Sequence, residues 1–234
     1  MPELPAPLPP AERTVGQLIG ESIRFYGGRF WTCLALGVPL AVATQASLGG
    51  TSDAQTLVLL AFSPVIAATF VQACRLVLGA QPTRTAYIVA WLVFLPVPVL
   101  VRAFILPSLA WLALFGLAVP AAMVEKLRFR AALERGRRLG LADFVHAFGS
   151  LCALVIVVVV SDFALVYVLR SQGDNGQRVA HALGDLVLSP LLFLGGALLY
   201  VDQAARVVSS RGDASLHPAL DADAAGHTDP QVES

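Results

Sequence analysis

The run AYIVAWLVFLPVPVLVRAFILPSLAWLALFGLAVPAAMV, residues 86–124, decides the fold. A helix rises about 1.5 Å per residue and the hydrocarbon core of a bilayer is about 30 Å thick, so about 20 apolar residues cross it once. The run is about twice that length. It is interrupted by Pro96, Pro98, Arg102 and Pro107, which break the helical hydrogen-bond ladder and place a charge midway along the oil. It therefore reads as two helices folded back on each other, 86–104 and 107–124.

The stretch that follows tests this reading. Residues 126–138, KLRFRAALERGRR, hold six of the sixteen Lys and Arg of the chain. Such residues collect in cytoplasmic loops. The same length rule gives four further spans, 30–48, 57–78, 148–169 and 183–201. With the N-terminus inside, thirteen basic residues fall on the cytoplasmic side and only Arg102, Arg170 and Arg178 fall outside. A single crossing by residues 86–124 would turn the six-charge cluster outward. The hairpin is therefore expected, with both termini in the cytoplasm.

Composition agrees. Of 234 residues, 56% are hydrophobic and 14% charged, where an ordinary soluble domain is about a quarter charged. The expected fold class is an all-α integral membrane protein: six transmembrane helices, an N-terminal amphipathic interfacial helix, and a basic cytoplasmic helix between helices 4 and 5. One membrane domain, 13–208, lies between a Pro-rich N-terminal tail, 1–12, and a polar C-terminal tail, 209–234, both expected to be disordered. The N-terminus lacks the basic start of a leader, so no cleavage is expected. Cys33, Cys74 and Cys152 lie within apolar runs, an odd number without extracellular spacing, and read as core residues rather than a disulfide framework.

Two segments flank the spans without crossing. In ERTVGQLIGESIRFYGG, residues 12–28, a helix begun by Thr14 places Val15, Leu18, Ile19, Ser22, Ile23 and Tyr26 on one face and Gln17, Glu21 and Arg24 on the other. That pattern suits a helix lying in the membrane interface; the alternative is a cytosolic helix packed on the bundle. In the basic helix, Phe129, Ala132, Leu133, Gly136, Leu139 and Gly140 share a face bordered by Lys126, Arg130 and Arg137 on one side and by Arg128 and Arg135 on the other. Glu134 is spaced to pair with Arg130 and Arg138, and Glu125 to reach Arg128. The bland reading is a topology marker with no ligand. The sharper one gives Arg24, Arg29, Lys126, Arg128, Arg130, Arg135, Arg137 and Arg138 a contact with anionic membrane lipids or a partner protein. No recognised module accompanies the cluster, so no nucleic acid is expected.

Asp162 lies inside the fifth span, in VVVVSDFALVY, where a carboxylate needs a partner or water. Gln45, Ser63, Thr69 and Ser189 are its candidate neighbours from other spans, and no Lys or His stands at a similar depth. It reads as structural glue, a water-lined vestibule, or a transport residue. Asp185 and Asp202 mark the two ends of the last span, where an exposed carboxylate is cheap. There is no HExxH, GxSxG, Walker-type loop or CxxC, and the cysteines lack metal-ligand spacing. No catalytic residue, metal or cofactor is assigned, and the sequence fixes no oligomeric state.

Three segments in order carry a resemblance: VGQLIGESIRFYGGRFW, VPAAMVEKLRFRAALERGRRLGLADFVHAFG and SPLLFLGGALLYVDQAAR. Together they resemble the integral-membrane domain attached to some bacterial glycerophosphoryl diester phosphodiesterases and found alone in actinobacterial proteins. The features that match are Arg24, Tyr26 and Arg29 before the first span; Glu125 with Arg135 and Arg138; and Tyr200 with Asp202. The resemblance implies the six-helix module in a bacterial inner membrane. It does not carry the phosphodiesterase reaction, because these residues leave no room for the barrel of the two-domain relatives. After Asp202 the chain reads Gln203-Ala204-Ala205-Arg206, where relatives place a basic residue sooner. The expected function is non-enzymatic, a multi-pass membrane protein contacting anionic lipid or a partner through its basic face. The alternative is a small transporter or channel using Asp162 and the helix broken at Pro96 and Pro98.

Overall fold

The computed structural model describes residues 10–226, with backbone alone at 11, 172, 174 and 210–226. The expected tails therefore lie partly outside the described residues, at 1–9 and 227–234. Among the described residues the chain is helical and has no strand. The helices are α1 (Val15–Gly28), α2 (Phe30–Ser47), α3 (Ser52–Leu78), α4 (Arg84–Phe94), α5 (Val97–Ala103), α6 (Ile105–Phe115), α7 (Ala118–Val124), α8 (Phe129–Ala142), α9 (Phe144–Leu169) and α10 (Gly173–Gly226).

Six stretches are long and apolar enough to cross a membrane: Phe30–Ser47, Ser52–Leu78, Arg84–Ala103, Ile105–Val124, Phe144–Leu169 and Asn175–Ser209. The protein is thus a multi-pass membrane protein. Hydroxyls and carboxylates start these helices by accepting from free backbone N–H groups. Thr51 accepts from Ala54, Thr83 from Ala86 and Asp143 from His146. Gly79, at φ 65°, ends α3 in the left-handed conformation that a side chain disfavours.

The 86–124 run does fold back on itself, with the second helix starting at Ile105, two residues before Pro107. Phe104, extended at φ −168° and ψ 142°, alone separates α5 from α6. Pro107 then sits in the first turn of α6, where its missing N–H has no helical acceptor to lose. Pro96 breaks α4 from α5 as expected. A second break, at Gly116 and Leu117 between α6 and α7, was not read from the sequence, although Pro120 follows it by four residues and lacks the N–H that Gly116 would accept from.

The bundle is organised around α10, which packs on α9, α2, α3, α1 and α8. Backbone-to-backbone approach sets several of these contacts: a side chain at Gly37 would run into the backbone of Leu186. Exposure is inverted relative to a soluble protein. Ser63, Ser108, Ser150, Ser189, Asp202 and Gln203 are buried, whereas Phe163 is 69% and Val168 71% exposed. Leaving such a side chain in water forgoes about 1.5–3 kcal/mol each, so the outer face of α9 is built for lipid. An arginine lies over an aromatic ring near each end of the bundle, Arg29 on Phe25 at 5.0 Å and Arg170 on Tyr167 at 4.0 Å. Such amphipathic pairs suit the two headgroup levels.

Three expectations change. The helix α1 buries Leu18, Ser22 and Tyr26, one stripe at four-residue spacing, against the bundle, and Ile23 is left exposed. That stripe is thus a packing face, because α9 and α10 supply it with apolar partners. The last span starts at Asn175 rather than near 183, since helix forms directly after the turn at Gly173. The backbone of α10 also stays helical to Gly226, through a stretch assigned to the disordered tail. Ala and Leu recur there and favour helix even where few large apolar residues are present.

Candidate functional site

Three polar groupings stand out, two at the end of the bundle that carries most of the arginines and one towards the other end. In the first, Asp202 of α10 is fully buried and its Oδ1 receives Arg13 Nη1 at 2.5 Å. The other Arg13 nitrogen, Nη2, reaches Glu21 Oε2 of α1 at 3.0 Å. Four residues on along α10, Arg206 donates to Asp143 Oδ2 at 2.9 Å and to the backbone carbonyl of Arg13 at 3.0 Å. Asp143 is also the N-cap of α9, and its backbone carbonyl accepts from Gln203 at 3.3 Å. The segment before α1, the start of α9 and the inner part of α10 are thereby tied together.

Asp202 was expected to be an exposed end-of-span carboxylate. It is buried because α10 runs past residue 201, so that Asp202 lies among packed helices with Arg13 as its counter-charge. Arg13, Asp143, Gln203 and Arg206 were not singled out from sequence. The one usable signal was the spacing of Asp202 and Arg206, four apart on one helix face.

The second grouping joins residues that the sequence did single out. Glu125, just after α7, accepts from Arg135 Nε of α8 at 2.9 and 3.1 Å, and from the Tyr200 hydroxyl of α10 at 3.1 Å. Glu125 was expected to reach Arg128; it pairs with Arg135 instead, because the α7–α8 turn carries Arg128 to the start of α8 with its side chain exposed. That turn puts Lys126 at φ 50°, the only positive φ among described non-glycine residues. Glu134 pairs with Arg138 as expected and not with Arg130. Tyr26 is buried with no hydrogen-bond partner for its hydroxyl among the described residues, and burial raises its pKa above the ordinary 10.0.

The basic helix is not laid on a membrane by its apolar face. Ala132, Gly136, Leu139 and Gly140 are buried, and a Cβ at Gly136 would meet Ala118, while one at Gly140 would meet Ala113 and Leu114. The small residues let α8 press its backbone onto α6 and α7. What faces outward is charge: Lys126, Arg128, Arg130, Arg137 and Arg138 are exposed, as are Arg24 and Arg29. Arg29 donates to the Leu76 carbonyl at 3.2 Å.

The third grouping contains Asp162. Its Oδ2 lies 3.2 Å from Nδ1 of His181 on α10, so a histidine does stand at its depth. His181 was placed outside the last span, and the early start of that span brings it level with Asp162. Gly184 is what permits the approach, because any side chain there would meet the Asp162 carboxylate. Asp185, one helical turn from His181, has a buried and unpartnered Oδ2. Of the expected neighbours, Gln45 donates instead to the Arg178 carbonyl at 3.0 Å, Thr69 bonds within α3, Ser189 donates to Asp185's carbonyl, and Ser63 has no hydrogen-bond partner among the described residues.

Cys33 and Cys74 share one apolar core and Cys152 lies outside it, all as free thiols. Among the described residues no three His, Cys, Asp or Glu are placed to hold a metal. No family model, no curated protein and no solved structure matches the chain.

Proposed function

We propose that the protein is a non-enzymatic multi-pass component of a bacterial cytoplasmic membrane whose basic end faces the cytoplasm and gathers anionic lipid headgroups. The observation that carries this is the separation of paired from unpaired charge. At the basic end Glu21, Glu125, Glu134, Asp143 and Asp202 are each taken up by an arginine. That leaves Arg24, Lys126, Arg128, Arg130 and Arg137 exposed with no acidic partner among the described residues. Each such cation near an anionic surface contributes about 1 kcal/mol. Because α8 is anchored by its glycine face, these charges are presented at fixed positions. The resemblance to the membrane domain of glycerophosphoryl diester phosphodiesterases is part of the proposal, supported by the meeting of Glu125, Arg135 and Tyr200.

The test uses the full chain in proteoliposomes with spin-labelled phosphatidylglycerol or phosphatidylcholine. The wild type should restrain the anionic probe several-fold more than the zwitterionic one. Alanine at Arg24, Lys126, Arg128, Arg130 and Arg137 together should bring the ratio close to one. An unchanged ratio would overturn the lipid reading, and labelling of a cysteine at position 130 from outside intact cells would overturn the orientation.

One observation favours a second reading. The Asp162–His181 pair, with Asp185 beside it, places three titratable groups in two apolar helices, as proton-coupled carriers do. Under that reading Asp162→Asn abolishes proton-coupled solute flux in liposomes while leaving the fold intact.

A further inference from the structure

An apolar cavity in the described bundle lies between α2, α3, the two broken spans, α9 and α10. It has a volume of about 360 Å³ and its wall is almost wholly hydrocarbon, from Leu59, Phe70, Phe94, Leu112, Val155 and Phe193 among others. Packed protein interiors hold few voids larger than a water molecule. A space of this size matches the lower range of small-ligand pockets, and an apolar wall does not hold water. Hydrocarbon is the matching occupant, and the bilayer supplies it.

The most exposed residues of the wall are Val101 of α5 and Ile105 of α6, at 48% and 43%. The cavity thus opens at the tip of the 86–124 hairpin, at the end opposite the basic helices. Between those two residues stands Arg102, one of the few cations at that end. Its only partner among the described residues is Asp53 at 2.8 Å, and that pair is open to solvent, with 46% and 82% of the two side chains exposed. An exposed pair is weak and readily exchanged, and a guanidinium retains further donors for phosphate. A hydrocarbon cavity whose exposed wall residue Val101 is followed in the chain by a cation is complementary to a phospholipid.

We propose that this cavity holds one acyl chain of a membrane phospholipid, with the lipid phosphate met by Arg102. Val97, Val101 and Gly116, which lie at or near the two helix breaks, all line the space. This inference is independent of the reading of the basic end, since it concerns the other end of the bundle and a single bound lipid rather than a surface preference.

The experiment measures phospholipid bound per chain, by phosphorus assay and native mass spectrometry, after the full-length protein is exchanged into a lipid-free detergent. The wild type should keep about one phospholipid, and adding phosphatidylglycerol should raise its melting midpoint. Two variants narrow the cavity from different walls, Ser63→Leu and Val155→Phe. The Ser63 hydroxyl makes no hydrogen bond among the described residues, so its replacement sacrifices none. Each variant should hold at least fivefold less lipid and melt no lower than the lipid-free wild type. Arg102→Gln should weaken phospholipid retention about fivefold while leaving retention of an uncharged long-chain alcohol unchanged. Wild-type protein that carries no lipid, or narrowed variants that retain as much as wild type, would overturn the proposal. Equal loss of the alcohol and the phospholipid in Arg102→Gln would overturn the role of Arg102.

Discussion

Asp162 and His181 meet between α9 and α10 at 3.2 Å, over a glycine, Gly184, that lies three residues beyond the histidine. A histidine, a glycine and a second carboxylate, Asp185, thus fall within about one turn of a helix in contact with a carboxylate on its neighbour. The glycine sets the geometry, because a methyl group there would occupy the place of the Asp162 oxygen.

Gly184→Ala is therefore expected to push Asp162 off His181 and to lower stability by about 1–3 kcal/mol, the range for overpacking a close contact. Most of this is steric, since a part-exposed pair itself contributes under about 1 kcal/mol. Gly149→Ala, on α9 with open space around it, should instead be neutral or stabilise by about 0.5–1 kcal/mol. Melting curves in detergent give the comparison, and equal midpoints for Gly184→Ala and wild type would show that the carboxylate does not rest there.

Breaking the buried Arg13–Asp202 pair from one side strands the other charge. Arg13→Ala and Asp202→Ala should each cost about 3–5 kcal/mol. Arg13→Met with Asp202→Leu should recover most of that loss, since two apolar groups of similar size leave nothing unpaired. A double-mutant cycle on melting midpoints reads the coupling, and additive losses would mean that the two residues do not meet.

At Gly136 even alanine brings a Cβ into Ala118, and valine adds two further methyl groups. Gly136→Val should detach α8 and expose the α6–α7 surface it covers. Limited proteolysis between residues 126 and 143 reports this directly: rapid cleavage in the variant is expected, and protection equal to wild type would refute the close packing.

Lys126 combines a charge with a left-handed backbone. Lys126→Ala removes the charge and keeps the strain, whereas Lys126→Gly removes both. The glycine variant should be more stable than the alanine variant by about 1 kcal/mol, read as the difference between their melting midpoints. Equal stability would mean that the turn relaxes without cost.

The six crossings were legible because span length and hydropathy are local and lipid imposes them on each helix separately. The hairpin within 86–124 was legible for the same reason, helped by the charge after it. Pairing was not. Glu125 chose Arg135 over Arg128, and Asp162 chose His181 over four hydroxyl and amide candidates, because partners across a bundle are set by helix rotation and depth, which one sequence does not encode locally. The burial of Asp202 was missed for a related reason: a carboxylate at the end of a span reads as exposed until the helix is known to continue beyond it. Gly136 and Gly140 were seen only as part of an apolar stripe. Their spacing, small residues four apart on one face, was the available sign of backbone contact.

The ion pair between Arg13 and Asp202 joins positions 189 residues apart. Synthesis proceeds from the N-terminus, so the arginine is made early and its carboxylate only within the sixth crossing. Until then Arg13 has only Glu21 of α1 as a counter-charge, and α1 lacks the α10 surface it packs on. The contact therefore cannot close before residue 202 is made, and a chain truncated before it leaves Arg13 without its buried partner.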